Sequence, residues 1–177
     1  MPVVAFRRSP NLRDLLVTAK LSSNSSNPEH PSGSFRCGKN CATCPYISYG
    51  LTSYTCFSTG ETHSIKSNLT CDTKNLIYML QSNRCNLQYI GETKRRLKDR
   101  FNKHRRTIDN PNNKSKPTRA AKHFLSSPNH TANDMQVIPI EKVVSNRDSI
   151  RKAREALLIQ KGRIIDPNGL NIREETY

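Results

Sequence analysis

Five of the six cysteines in this 177-residue chain lie between residues 37 and 71, and one follows them. The segment from 35 to 74 has few large apolar side chains, so it needs a metal ion or cross-links to hold a fold. The first residues, MPVVAFRRSP, lack the apolar centre of a leader peptide. We therefore expect thiols or metal ligands in this cysteine-rich segment, and not disulfides.

The spacing of the first three cysteines is typical of a zinc-binding loop. Cys37 is followed by Cys41 after three residues and by Cys44 after two more. The sequence leaves the fourth ligand of this candidate zinc site open, and the available residues are Cys56, His63 and Cys71.

Positive charge is concentrated in the other part of the chain. The whole sequence carries a formal net charge of +15, and eight of the thirteen residues from 94 to 106 are Lys or Arg, opposed only by Asp99. Such density favours contact with nucleic-acid phosphates over a merely solvated face. No apolar run is long enough for a membrane span, so we expect DNA and no membrane as the partner. The candidate DNA-binding residues are Lys94, Arg95, Arg96, Lys98, Lys103, Arg105 and Arg106.

Composition divides the chain into an N-terminal arm and flexible linker (1–34), the cysteine-rich segment (35–74) and a compact domain (75–177). In the domain, apolar alternation predicts a hairpin, and apolar residues at helical spacing predict three helices. This order predicts an α+β fold, a small antiparallel sheet flanked by helices. The predicted strands cover 76–80, 88–90 and 136–140, and Pro139 places the last one at an edge. The first predicted helix starts at Leu97 and the second covers 116–125. The third runs from a cap at Ser145 or Asn146 to about Lys161, with Gly162 as its stop.

Tyrosines occupy equivalent positions in both strands of the predicted hairpin. Alternation places Tyr78 and Tyr89 on one face of the sheet, which we expect to be open, with both hydroxyls available there. Arg96, Arg100 and His104 recur every four residues and form a polar stripe on the next helix. A phenol is a weak base near pH 7, and we expect Arg100 and a metal ion together to lower the pKa of the nearby tyrosine.

These residues resemble the GIY-YIG endonuclease superfamily. The chain reads LIY at its first tyrosine and YIG eleven residues later, followed by Arg100 and His104. It resembles more narrowly the endonuclease domain of Penelope-like retroelements, which has a C…CxxCP segment before the hairpin, YIGET in the second strand and GLN near the end. Here CGKNCATCP lies at 37–45, YIGET at 89–93 and GLN at 169–171, while Leu76 departs from the glycine of the superfamily motif.

The resemblance implies a metal-dependent DNA endonuclease. Tyr78 and Tyr89 would hold and deprotonate the attacking water, with Tyr78 preferred as the base. Arg100 would stabilise the scissile phosphate, and His104 would position groups or transfer protons. The remaining implied roles are Glu155 as the ligand of one Mg²⁺ or Mn²⁺, Asn171 as the late asparagine of the site, and Gly91 as a turn that lets the backbone approach substrate.

Glu155 also has a simpler interpretation, because Arg151 lies four residues earlier on the same predicted helix and could pair with it. A second departure concerns zinc. The family has two cysteines between the tyrosines that form a zinc site with two later histidines, but this chain has Ser82 at the first position. Three candidate ligands remain, namely Cys85, His123 and His130.

Ser82 supports an alternative function, a zinc-stabilised nucleic-acid-binding module whose nuclease site has decayed. For the nuclease hypothesis, the resemblance further implies a reverse transcriptase domain in a longer parent element and a nuclear location. Oligomeric state does not follow from the sequence.

Overall fold

A computed structural model of the protein describes residues 31–111 and 117–172. Most of the predicted arm and linker, and the start of the helix predicted over 116–125, lie outside these residues. Within them, no helix is long and apolar enough to cross a membrane. The strands are β1 (Gly33–Phe35), β2 (Ser53–Thr55), β3 (Thr62–Ser64), β4 (Asn68–Thr70), β5 (Leu76–Ser82), β6 (Gln88–Thr93) and β7 (Met135–Lys142), and the α-helices are α1 (Leu97–Asp109), α2 (Arg119–Ser126) and α3 (Asp148–Gly162).

The central sheet has three antiparallel strands in the order β6-β5-β7. The predicted α+β fold is confirmed, and so is the hairpin, which is formed by β5 and β6. Pro139 lies in β7, an outer strand of this sheet, so the predicted edge position is also confirmed. The first strand of the hairpin therefore becomes the central strand of the sheet.

Each face of the sheet is covered by a different layer. Tyr78 and Leu80 point to the face that packs on Phe101 of α1 and Phe124 of α2. Ile77 and Met79 point the other way, to the layer formed by α3 and by the β2–β3 hairpin. The face that carries the tyrosines is thus not open, as the alternation suggested, because two helices bury it.

The helices begin where backbone donors find partners. Thr118 caps α2 by accepting a hydrogen bond from the Ala121 backbone N–H at 3.3 Å. The cap predicted for α3 is wrong, because this helix starts at Asp148 and Arg147 occupies its N-cap. Ser145 is already engaged by the Arg147 backbone N–H, and Asn146 accepts from the Asn75 side chain.

The cysteine-rich segment packs against both faces of the central sheet. Its strands β1 and β4 pair in parallel, and β2 and β3 form a hairpin. Ile47 forms a bridge with Val137 on β7, on the side of α1, while Tyr54 and Leu69 lie in the core under α3. The division of the chain at residue 74 stays a prediction.

The edge strand β6 is closed by the C-terminal loop. The buried Asn171 side chain accepts a hydrogen bond from the Ile90 backbone N–H at 2.9 Å and donates one to the Ile90 carbonyl at 2.8 Å. The Leu170 backbone N–H donates to the Gln88 carbonyl at 2.8 Å. This one amide thus pairs both backbone groups of Ile90, which would otherwise be buried without partners.

We expect Asn171→Ala to lower the free energy of unfolding by about 2–4 kcal/mol, since it strands two buried backbone groups. Urea unfolding followed by circular dichroism measures this loss. Asn168→Ala, an exposed change in the same loop, serves as the control and should leave the midpoint in place. Equal effects of the two substitutions would contradict the role given to Asn171.

Candidate active site

Gly91 makes room for the buried phenol at the centre of the sheet. Gly91 pairs with Tyr78 across the hairpin, and a Cβ atom at Gly91 would lie 2.7 Å from the Tyr78 hydroxyl oxygen. It would also lie 2.8 Å from a ring carbon of Tyr89. The expectation that Gly91 forms a turn is therefore wrong, because this residue lies inside β6 and its missing side chain is the space that Tyr78 fills.

The Tyr78 hydroxyl is held by two side chains of α1. The Nε–H of Arg100 donates to it at 2.9 Å, and Nε2 of His104 lies 2.9 Å away. The predicted helical stripe thus brings these two residues to the first tyrosine. Nδ1 of His104 lies 2.9 Å from the Thr118 hydroxyl, which the sequence analysis missed although a threonine before a helical stretch indicates an N-cap.

Tyr89 lies on the same buried face as Tyr78, as alternation predicted. Their ring centroids are 6.0 and 6.2 Å from that of His104, so the imidazole is a neighbour of both phenols. Tyr78 and His104 are almost fully buried and Tyr89 is 5% exposed. A buried polar cluster of this kind has one stable arrangement, because any lost partner leaves an unpaired polar atom.

Burial dominates the ionisation of this cluster. It raises the pKa of Tyr78 to about 12, although the adjacent Arg100 guanidinium acts in the opposite direction. Arg100 therefore acts on the pKa of Tyr78 in the expected direction, but burial outweighs it, and the lowering expected from a metal stays a prediction. Burial, with the charge of Arg100 second, lowers the pKa of His104 to about 3. Near pH 7 the phenol keeps its proton and the imidazole is neutral.

A cleft of about 670 Å³ opens beside this cluster, between the end of β6, α1 and the start of α3. Its lining has more basic than acidic residues, which suits a polyanion. The basic residues of this catalytic cleft are Lys94, Arg95, Arg100, Lys103, Arg106 and Arg151.

Three of the predicted DNA-binding residues point elsewhere. Arg96 and Lys98 lie 3.7 and 2.7 Å from the carboxylate of Asp72 in the cysteine-rich segment. The Arg105 guanidinium lies 4.2 Å from the centroid of the Tyr46 ring. The basic run therefore serves two purposes, since part of it lines the cleft and part attaches α1 to the preceding segment.

Carboxylates lie on the wall of the cleft next to Tyr78. Glu92 forms an ion pair with Arg151, whose other bond is to Asp148 at 2.9 Å. Arg151 is thus engaged by Glu92 and Asp148, and its pairing with Glu155 stays a prediction. Glu155 is half-buried, and its negative charge contributes to the raised pKa of Tyr78, so the two groups are close. A carboxylate near this phenol would suit the oxygen-ligand preference of Mg²⁺ or Mn²⁺.

The structure selects Cys71 as the fourth member of the first cysteine cluster. The four sulfur atoms of Cys37, Cys41, Cys44 and Cys71 all lie within 4.8 Å of one another. Individual Sγ–Sγ distances are 3.4 to 3.6 Å, near the ~3.8 Å edge of a tetrahedron with Zn–S bonds of about 2.3 Å. The neighbouring Cys71 thiol lowers the pKa of Cys37 to about 7, whereas burial raises the pKa values of Cys44 and Cys71.

This cysteine cluster is joined to α1 through the backbone. The Lys98 N–H donates to the Cys71 carbonyl at 2.8 Å, and the Leu97 N–H donates to the Thr73 carbonyl at 3.0 Å. These bonds satisfy donors in the first turn of the helix that carries Arg100 and His104. The cysteine cluster therefore helps to fix the helix that carries Arg100 and His104.

The second predicted ligand set also comes together. Cys85, His123 and His130 offer ligand atoms within 4.8 Å of one another, with Cys85 Sγ 3.3 Å from Nε2 of His123. Ser82 is outside this group, because its hydroxyl accepts from the backbone N–H groups of Arg84 and Cys85 in the hairpin turn. The substitution of Cys by Ser at this position leaves three protein ligands.

The lowered pKa of His104 makes the fold sensitive to acid. Unfolded chains bind a proton at this residue below about pH 6.5, whereas the folded chain does so only near pH 3. Unfolding free energy therefore falls with pH below 6.5, by about 1.4 kcal/mol per unit.

We expect urea unfolding between pH 6.5 and 5 to show this slope, and His104→Gln to remove it. His130→Gln is the control. The neighbouring Cys85 raises the pKa of His130, so protonation of His130 favours the folded state and this variant should keep the slope. An unchanged slope in His104→Gln would contradict the buried neutral imidazole.

Comparison with known proteins gives one match. A search of curated proteins and a search of solved structures each found none. The family model of the GIY-YIG catalytic domain matches residues 74–171, more than half of the chain. This range includes every residue of the tyrosine cluster and of the catalytic cleft. The chain therefore belongs to the GIY-YIG family, whose catalytic domain supports a nuclease-type function.

Proposed function

We propose that this protein is a metal-dependent endonuclease that nicks DNA by hydrolysing a phosphodiester bond. The observation that carries the proposal is the Tyr78 hydroxyl, held by Arg100 and His104 beside a cationic cleft and close to Glu155. A nuclease needs these four things together: a group that handles the proton of water, cations for phosphate, a metal-binding carboxylate and a cleft.

The exposed basic side chains of the catalytic cleft bind the DNA backbone on both sides of the scissile phosphate; they are Lys94, Arg95, Lys103 and Arg106. Arg100 uses Nε for Tyr78, so its terminal nitrogens are directed to the charge that develops on the phosphate oxygens. Glu155 would hold one Mg²⁺ or Mn²⁺, which supplies positive charge that makes water easier to deprotonate. Asn171 acts by positioning, because its amide fixes the strand between Tyr89 and Gly91.

Proton transfer follows the hydrogen bonds of the cluster. Tyr78 accepts a proton from the attacking water as its own proton passes to Nε2 of His104. The water oxygen bonds to phosphorus, the bond to the leaving oxygen breaks, and that oxygen takes a proton from solvent in the cleft. His104 is neutral at the start and can therefore accept the proton. Because burial lowers its pKa to about 3, it returns the proton through Tyr78 to solvent once the bond to the leaving oxygen has broken.

Nicking of supercoiled plasmid with Mg²⁺ or Mn²⁺ tests the proposal. We expect Tyr78→Phe and Glu155→Gln each to lower the rate about 10²–10⁴-fold, since each removes a group that acts on the reacting atoms. Tyr49→Phe and Glu61→Gln make the same chemical changes at exposed positions and should cleave like the wild type. Equal rates for all five proteins would overturn the site.

We also propose that the first cysteine cluster binds one structural Zn²⁺. The convergence of four sulfur atoms within 4.8 Å of one another supports this assignment. Bound zinc would hold Cys71 and, through its carbonyl, the first turn of α1. The set formed by Cys85, His123 and His130 is a weaker zinc candidate, with solvent water as the fourth ligand.

Metal analysis of Cys71→Ser and Cys56→Ser separates cluster zinc from general loss of a buried thiol. Both cysteines are buried, but only Cys71 belongs to the cluster. We expect Cys71→Ser to lose one zinc per chain and several kcal/mol of stability, whereas Cys56→Ser keeps the metal. Equal zinc content in the two variants would contradict the assignment.

Ser82 favours a second candidate, a zinc-stabilised module that binds nucleic acid without cutting it. Its hydroxyl serves the hairpin turn and has left the downstream ligand set incomplete. In this case the plasmid would stay intact while binding remained salt-sensitive. The order of the CGKNCATCP, YIGET and GLN motifs supports a Penelope-like origin, and with it a reverse transcriptase partner and a nuclear location.

A further inference from the structure

We propose that a second basic groove, on the other flank of α3, binds phosphates of the same nucleic acid outside the catalytic cleft. This lysine groove is defined by Lys66, Lys142 and Lys161. The inference rests on the proposed function, because it extends the substrate beyond the residues that surround the scissile bond.

The groove is a concave site with an apolar floor and a basic rim. It has a volume of about 530 Å³ and lies between β3, the end of β7 and the second half of α3. Tyr54, Ile140 and Leu158 are buried beneath it, while the three lysines are exposed around it. The core packing of α3 against the sheet therefore fixes where the three ammonium groups converge.

The charge of the groove is not neutralised within the protein. Arg154 is paired with Glu141 through two bonds of 2.7 and 2.9 Å, so these two charges cancel. In the ranges 31–111 and 117–172, none of the three lysines has an ion pair, whereas Nε2 of His63 on the wall lies 3.5 Å from the carboxylate of Glu61. Three like charges around one concavity repel one another, and a bound polyanion would relieve this repulsion.

Helix α3 connects the groove to the catalytic cleft. Arg151 lines the cleft and bonds to Glu92 on β6, while Arg154 and Lys161 line the groove on the side of β7. Ten residues along a helix span ~15 Å, the length of roughly four base-pair steps of duplex DNA. One duplex is therefore long enough to span this distance along the helix, whereas a small anion is not.

Salt dependence of binding tests the lysine groove directly. The triple variant Lys66→Gln, Lys142→Gln, Lys161→Gln is compared with Arg36→Gln, Lys39→Gln, Lys122→Gln, which removes equal charge from exposed positions elsewhere. Binding of a 24-base-pair duplex, a length chosen at about two helical turns, is measured by fluorescence anisotropy from about 50 to 300 mM salt. Thermal unfolding checks that both variants fold.

We expect the slope of log K against log salt to become shallower by about 2–3 in the groove variant, since each phosphate contact contributes about 0.9. The control variant should keep the wild-type slope. Equal slopes for the groove variant and the wild type would overturn the proposal. The proposal would also be overturned if the groove variant lost binding to poly-glutamate while its DNA binding stayed unchanged, because that result would assign the groove to an acidic protein.

The nicking assay separates this inference from the proposed function. If the wild type nicks DNA but the slope does not change, only the lysine groove is wrong. If the slope changes but no protein nicks DNA, the groove is supported and the nuclease activity is wrong.

Discussion

The burial of one phenolic hydroxyl organises this molecule. Tyr78 lies on the central strand with no solvent contact, so its oxygen needs partners from the protein, and an unpaired hydroxyl there would cost several kcal/mol, roughly 2–7. Arg100 and His104 supply these partners, and Gly91 supplies the space. Because both partners belong to α1, the hydrogen bonds that satisfy Tyr78 also fix this helix on the sheet.

The rest of the structure supports this arrangement from two directions. The cysteine-rich segment presents the Cys71 and Thr73 carbonyls to the first turn of α1, and its Asp72 pairs with two cations there. From the other side, Asn171 closes the edge of β6 at Ile90, between Tyr89 and Gly91. The cysteine cluster and the C-terminal loop therefore help to position the tyrosine cluster without belonging to it.

Charge is divided by the helices into separate tasks. The run from 94 to 106 is one basic stretch in the sequence, yet Lys94, Lys103 and Arg106 face the catalytic cleft while Arg96 and Lys98 face Asp72. Helix α3 likewise contributes Arg151 to one cleft and Lys161 to another. A helix turns by about 100° per residue, so neighbouring charges serve surfaces that only the packed fold distinguishes.

The sequence by itself determined the elements and their order, because these depend on local periodicity: the hairpin, the edge strand at Pro139 and the stripe that carries Arg100 and His104. It also brought Cys37, Cys41 and Cys44 together, since short spacing leaves few alternatives. Tertiary structure alone decided what depends on distant segments. Distant segments place Cys71, and not Cys56 or His63, beside the other three cysteines. They also pair Arg151 with Glu92. Finally, they bury Tyr78, which raises its pKa although the neighbouring Arg100 acts to lower it. Burial is set by every layer that packs on a residue, and no window of sequence around Tyr78 contains those layers.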